Sequence, residues 1–341
     1  MLPGSIQITG EALSGAEVRD ICDGLRENGV RLLSVRGCQL SDRDFGRVTR
    51  LIEVELWHTP LAIRVCRGVA DSRSLAQLNL NLGVVSGLVR TRQLADALET
   101  NRSLQTLFLH GSPLLDAGLV TLNAALTSHP SLVSLDLGDC LLGDQALGLV
   151  CGMLPPDGAK SGLRELTLSA NPGISTKGWA RLAVAVAHSS QLRVLNLDYN
   201  PLGDQIAGML AVAVASSRTL EVLDLEGTGL SNHAAQVFLD MVQSYPTSLR
   251  VLVLAENDIA PELQQQISDL LSEGEEEEDP GAPPTHPSPA YSSDMLPPRE
   301  KQHHPHHQQH AGPWIPYSNP APHVVMLTSG LDDSLLAETE M

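Results

Sequence analysis

Histidines and carboxylates are the residues of this 341-residue chain best suited by type and spacing to do chemistry. The run "HHPHHQQH" places His303, His304, His306, His307 and His310 close enough to hold a soft metal ion. Nothing in the run presets a coordination geometry, so such binding would be weak and unselective. Five other histidines, His58, His110, His129, His188 and His233, follow no ligand spacing. Walker-type, H-E-x-x-H and G-x-S-x-G patterns are missing. The expectation is therefore no catalytic residue, no resident metal, no cofactor and no small-molecule substrate. The carboxylates are more regular. Asp136, Asp139, Asp198, Asp224, Glu226 and Glu256 each lie between or just after leucines that themselves recur.

Those leucines define the elements that must position the carboxylates. Leu192, Leu195 and Leu197 precede Asn200 and Leu202; Leu163, Leu166 and Leu168 precede Asn171; Leu249, Leu252 and Leu254 precede Asn257 and Ile259. Related copies begin at Leu104, Leu132 and Leu220, with Ser112, Cys140 and Thr228 at the Asn position. The first leucines step by 28, 31, 29, 28 and 29 residues. This is the L-x-x-L-x-L-x-x-N/C-x-L repeat. The second and third leucines flank one outward residue, as a short strand with its apolar side inward requires. The chain then turns, and a small hydrogen-bonding side chain must satisfy backbone groups that the turn leaves unpaired. The half of the repeat after the turn has helical periodicity: Ile206, Met209, Leu210 and Ala213 fall at i, i+3, i+4 and i+7. Asp116, Asp144 and Asp204 precede such runs and are expected to be helix N-caps.

Earlier copies begin at Leu75 and at Val30, and Ile6 and Ile8 fit a first strand. The 45-residue gap from Val30 to Leu75 becomes 28 if residues 51–67 are an insertion in one helical half-repeat. The rival reading makes this stretch part of two short repeats, with Leu51, Val54, Leu56, Thr59 and Leu61 on the consensus. These long, helix-bearing repeats resemble the ribonuclease-inhibitor-like class of leucine-rich repeats, a class also found in nucleotide-sensing cytosolic receptors. The resemblance implies an α/β solenoid, an open horseshoe with parallel strands on the concave face and helices on the convex face.

The expected organisation is a solenoid over residues 3–272 and a disordered tail over 273–341. The tail is acidic and rich in proline and histidine, holding 12 of the 22 prolines and 7 of the 12 histidines. Such a composition cannot bury enough apolar surface to offset ordering entropy. The net charge of −18 and the lack of a basic patch in sequence argue against nucleic acid and anionic membranes, and for a basic protein partner. The expected contact residues are Phe108, His110, Asp136, Asp139, Asn196, Asp198, Tyr199, Asp224, Glu226 and Glu256. Aromatic anchors in a charged surface suit protein recognition. At the C-terminus, Thr339 and Met341 resemble a ligand for a PDZ domain. Five scattered cysteines and a start without a signal-peptide pattern suggest a cytoplasmic protein.

The leading expectation is a non-enzymatic interaction scaffold. Two alternatives arise from the class resemblance and the acidity. One is a GTPase-activating protein of the Ran type, in which repeats of this class are joined to an acidic tail, here Glu275 to Asp279. The other is an inhibitor of a basic ribonuclease. "NRS" at Asn101 also matches a glycosylation acceptor, a pattern without weight unless the chain is secreted.

Overall fold

The structure is a computed structural model, and it describes residues 4–49, 68–159 and 161–273 and the backbone of 325–326. Among the described residues of the repeats, nine short strands alternate with helices. The strands are β1 (Ser5–Thr9), β2 (Leu32–Arg36), β3 (Gln77–Asn79), β4 (Thr106–Phe108), β5 (Ser134–Asp136), β6 (Glu165–Thr167), β7 (Val194–Asn196), β8 (Val222–Asp224) and β9 (Val251–Val253). The helices are α1 (Gly15–Arg26), α2 (Asp42–Thr49), α3 (Gly87–Thr100), α4 (Leu115–Ser128), α5 (Asp144–Met153), α6 (Thr176–Ala187), α7 (Gly203–Ser216), α8 (Asn232–Ser244) and α9 (Pro261–Glu273). A tenth strand, β10 (Val325–Met326), lies within the segment expected to be an unstructured tail.

The strands form one parallel sheet in the order β10-β1-β2-β3-β4-β5-β6-β7-β8-β9. Each coil of the solenoid thus adds one strand beside the last. Leu78, Leu107, Leu135, Leu166, Leu195, Leu223 and Leu252 are direct partners across the sheet. Strand β2 pairs directly with β3, Leu33 opposite Leu78. The proposed insertion, residues 51–67, falls outside the described residues, as do the histidine run, the acidic run 275–279 and the terminal Thr339 and Met341.

The leucines of the repeat are buried, Leu252 on the last strand only partly, and with the inner faces of the helices they make one continuous core. Burying such a side chain contributes about 1.5–3 kcal/mol, so each coil is stable only against its neighbours. The turn after each of β4 to β9 is held by the predicted polar residue. The Asn200 amide donates to the carbonyls of Leu197 (2.8 Å) and Leu168 (3.0 Å), and its Oδ1 accepts from the Asn171 N–H (2.7 Å). Asn171 serves the preceding coil alike, donating to Leu137 O and accepting from the Leu142 N–H. Ser112, Cys140 and Thr228 make fewer bonds at this position, each donating to the carbonyl of a strand-end leucine.

The aspartates expected to cap their own helices do something else. The N-caps of α5 and α7 are Gly143 and Leu202, and Asp144 and Asp204 sit in the first turn. Asp144 accepts from the backbone N–H and hydroxyl of Ser175 (2.8 and 2.6 Å), which is the N-cap of α6. Asp204 does the same for Ser231, the N-cap of α8 (2.8 and 2.5 Å). Asp116 accepts from the N–H of Gly143, the N-cap of α5 (2.6 Å). Each carboxylate therefore satisfies an orphan donor at the start of the next helix and staples adjacent coils. Their hydrogen bonds hold the Asp144 and Asp204 carboxyls below the ordinary range. Asn101, the formal glycosylation acceptor, is fully buried; its Oδ1 accepts from the N–H groups of Ser103 and Leu104. The folded solenoid gives a glycosylating enzyme no access to it.

Candidate interaction surface

The strand side of the solenoid carries the predicted contact residues in rows set by the sheet register. Phe108, Asp136, Thr167, Asn196, Asp224 and Val253 are successive partners on β4 through β9. Adjacent members of this row are therefore spaced by about 4.8 Å between strands. Two residues further along the chain come His110, Gly138, Ser169, Asp198 and Glu226, and one further come Asp139, Tyr199 and Glu256.

A recurrent local device connects the first two rows. Asp136 Oδ1 accepts from the Gly138 N–H (2.9 Å), Asn196 Oδ1 from the Asp198 N–H (2.9 Å), and Asp224 Oδ1 from the Glu226 N–H (3.0 Å). Asn79 and Asn81 repeat the pattern at 3.1 Å. These Asx turns steer the chain out of the strand. The next residue is then left-handed in every coil: Gly10, Gly37, Leu82, Gly111, Asp139, Ala170, Tyr199, Gly227 and Glu256 all have φ between 47° and 75°. A tyrosine or leucine in this region is strained by its Cβ, which only surrounding structure can enforce. For Tyr199 that enforcement is visible. Its hydroxyl donates to Glu226 Oε1 (2.5 Å), and a Cβ added at Gly227 would meet its ring at 2.7 Å. The ring thus lies over the glycine of the next coil, half exposed.

Not all the predicted contact residues are open. Asn196 and Asp224 are buried, at 5% and 4% exposure, and form part of a polar chain. Ser169 Oγ donates to Asn196 Oδ1 (3.3 Å), and Asn196 Nδ2 donates to Asp224 Oδ2 (3.4 Å). Both side chains hold the turn; they underlie the surface more than they line it. Asp139, Tyr199 and Glu256 are exposed, and Phe108, His110, Asp136, Asp198 and Glu226 are half-buried.

The electrostatics are set by this packing. Burial first, then the neighbouring Asp198 and Glu226, raises the Asp224 carboxyl to about 6. Asp198 is raised by burial and by Glu226. His110 lies 3.7 Å from Asp136 Oδ1, and that carboxylate, assisted by Asp139 and Asp198, raises the imidazole despite its burial. Among the described residues Asp198 Oδ1 is buried with no hydrogen bond of good geometry, and Ser169 and Asn196 lie close enough to the carboxyl to oppose its rise in part. Among the described residues no lysine or arginine forms an ion pair with Asp136, Asp139, Asp198, Asp224, Glu226 or Glu256. Nor do the described residues contain a group of three or more His, Cys, Asp or Glu placed to hold a metal ion.

Gly138 sits beneath His110, and a Cβ there would fall inside contact distance of Nδ1. Gly138→Ala is expected to push the ring off Asp136 and return the His110 pKa toward 6.5. Histidine titration by NMR reads this directly, and an unchanged midpoint would show that the pair does not set the titration.

The missed features had a signal. Ser169 and the left-handed column are found by aligning the copies at the positions three and four residues past the middle leucine. The column is hidden because glycine fills it in only some coils.

The fold and this surface define a leucine-rich-repeat protein. The Leucine Rich repeat family model matches residues 188–211. The chain is 65% identical, over all 341 residues and 100% of each chain, to leucine-rich repeat-containing protein 73 of Homo sapiens, and 65% identical over the same span to that of Rattus norvegicus. It belongs to the leucine-rich repeat-containing protein 73 family. Among solved structures, a chain in the crystal structure of the yeast Rad7 and Elc1 complex shares the fold at a TM-score of 0.53 and 15% identity. That likeness covers 78% of this chain and 60% of the other.

Proposed function

We propose that the protein is a non-enzymatic, cytoplasmic interaction scaffold whose strand-side carboxylates bind a basic protein segment. The observation that carries this reading is a cluster of carboxylates that, among the described residues, has no lysine or arginine ion-pair partner. Asp198 and Asp224 are raised by burial and by their own neighbours. A lysine or arginine brought to this surface would relieve like-charge repulsion that the fold sustains by itself. Tyr199 and Phe108 supply apolar contact beside the charges. Among the described residues Cys38, Cys140 and Cys151 are free thiols, which accords with a reducing compartment. No described helix is long and apolar enough to cross a membrane.

The test uses the full chain and a fluorescein-labelled 20-residue lysine- and arginine-rich peptide, read by anisotropy. Charge reversal belongs on the accessible acids, Asp139→Lys, Glu226→Lys and Glu256→Lys together, because lysine at the buried Asp224 would disturb the fold. The triple variant is expected to lose at least about tenfold in affinity, with a flattened salt dependence. Equal affinity for the triple variant and the parent overturns the reading. Parallel assays of GTP hydrolysis by Ran and of a basic ribonuclease measure the two alternatives directly.

A further inference from the structure

We propose that the outer edge of β1 is a strand-docking site whose resident occupant is this chain's own segment around Val325–Met326. In a solenoid the first strand has a neighbour on one side only. Alternate backbone groups of a strand point to opposite edges. The Gly4 carbonyl accepts from the N–H groups of Arg31 and Leu32, and the Gly10 N–H donates to Arg36 O, so the even-numbered backbone groups of this strand face β2. The odd-numbered groups of Ser5, Gln7 and Thr9 then face outward. Such an edge invites pairing with another chain unless something covers it. Here β10 lies along it in parallel, Ile6 opposite Val325 and Gln7 opposite Met326.

The sequence around β10 suits that place. "VVMLT", residues 324–328, is a β-prone run in a region otherwise dominated by proline, histidine and acids. Residues 274–324, a stretch of 51, separate α9 from β10. Fully extended they could reach roughly 170 Å, whereas eight strand steps from β9 to β1 amount to about 40 Å along the sheet. The segment can therefore come from the same molecule. Its function is that of a terminal cap: it occupies the edge in the free protein and yields it to a competing β-strand of a partner.

Hydrogen exchange on the full-length protein tests this. Proline has no N–H and does not sit in a paired strand, so Val325→Pro with Met326→Pro removes the cap and leaves every residue of the repeats unchanged. The Gln7 amide is expected to exchange at least tenfold faster in the variant, while the β5–β8 amides keep their rates. A synthetic peptide of residues 320–332 should restore the protection, and in the parent the protection should be independent of protein concentration. Three results overturn the proposal: an unchanged Gln7 rate, failure of the peptide to restore protection, or protection that rises with concentration alongside dimerisation, which assigns the strand to a second copy.

Discussion

Asn200→Ala is expected to lower the unfolding free energy by about 3–5 kcal/mol, the range reached when several buried polar groups lose their partners together. Asn200 is fully buried. Its amide satisfies the carbonyls of Leu168 and Leu197, and its Oδ1 satisfies the N–H of Asn171. Alanine leaves those buried groups without the partner that the amide supplied. It also loosens Asn171, the corresponding residue one coil earlier, which donates to Leu137 O. Urea unfolding measures the effect, with a lower midpoint and, if the coils uncouple, a shallower slope. Cys140→Ser, at the equivalent turn of another coil, is expected to cost about 1 kcal/mol or less, since the serine hydroxyl can make the bond that the thiol makes to Leu109 O. A loss below about 1 kcal/mol for Asn200→Ala would mean that the amide ladder is not what joins the turns.

Stability is expected to be greatest in mildly acidic solution and to decline toward neutrality. Asp224 titrates at about 6 in the folded protein, against 3.8 for the free side chain. Between those values the native state holds a proton that the unfolded state has lost, so stability falls as pH rises through this window. The full shift corresponds to at most about 3 kcal/mol, and solvent screening on the strand side reduces the expected decline to about 1–2 kcal/mol. His110 acts in the same direction. Its raised pKa contributes stability that is complete below 6.5 and lost as pH climbs through the folded value. The depressed Asp144 and Asp204 act oppositely, their contribution present above the ordinary carboxylate range and lost as pH falls below it. Thermal unfolding from pH 3 to 8 should therefore peak at about pH 4, where Asp224 still holds its proton and Asp144 and Asp204 are ionised. Asp224→Asn should flatten the neutral side, and a decline that persists unchanged in that variant would assign it to other groups.

The same residues show how far the sequence could be read. Leu195 and Leu223 could be placed in register because a 28- or 29-residue step moves the chain by one whole coil, and periodicity records that step. Asn171, Asn200 and Asn257 were legible for a similar reason, since the turn admits few side chains. Asp144 and Asp204 were misjudged because their partners, Ser175 and Ser231, lie 31 and 27 residues away, and only the stacked coil brings them together. Asp224 and Asn196 looked like surface residues because strand alternation gives a direction, not a depth. They are covered because the following rows, through Asp198 and Glu226, fold back over them by Asx turns. The left-handed backbone at Tyr199 is not legible in that residue's own type, only in the glycines that fill the same column, Gly10, Gly37, Gly111 and Gly227.

The aspartate staples join nearest neighbours only, so mechanical load would be borne locally. A molecule pulled from its two ends should yield from a terminus and lengthen in increments of one turn of the spring, each releasing roughly 90–100 Å of chain. Interior turns held by Asp144 and Asp204 would be the last to give way, so a stretched molecule would keep its middle wound while its ends unwind.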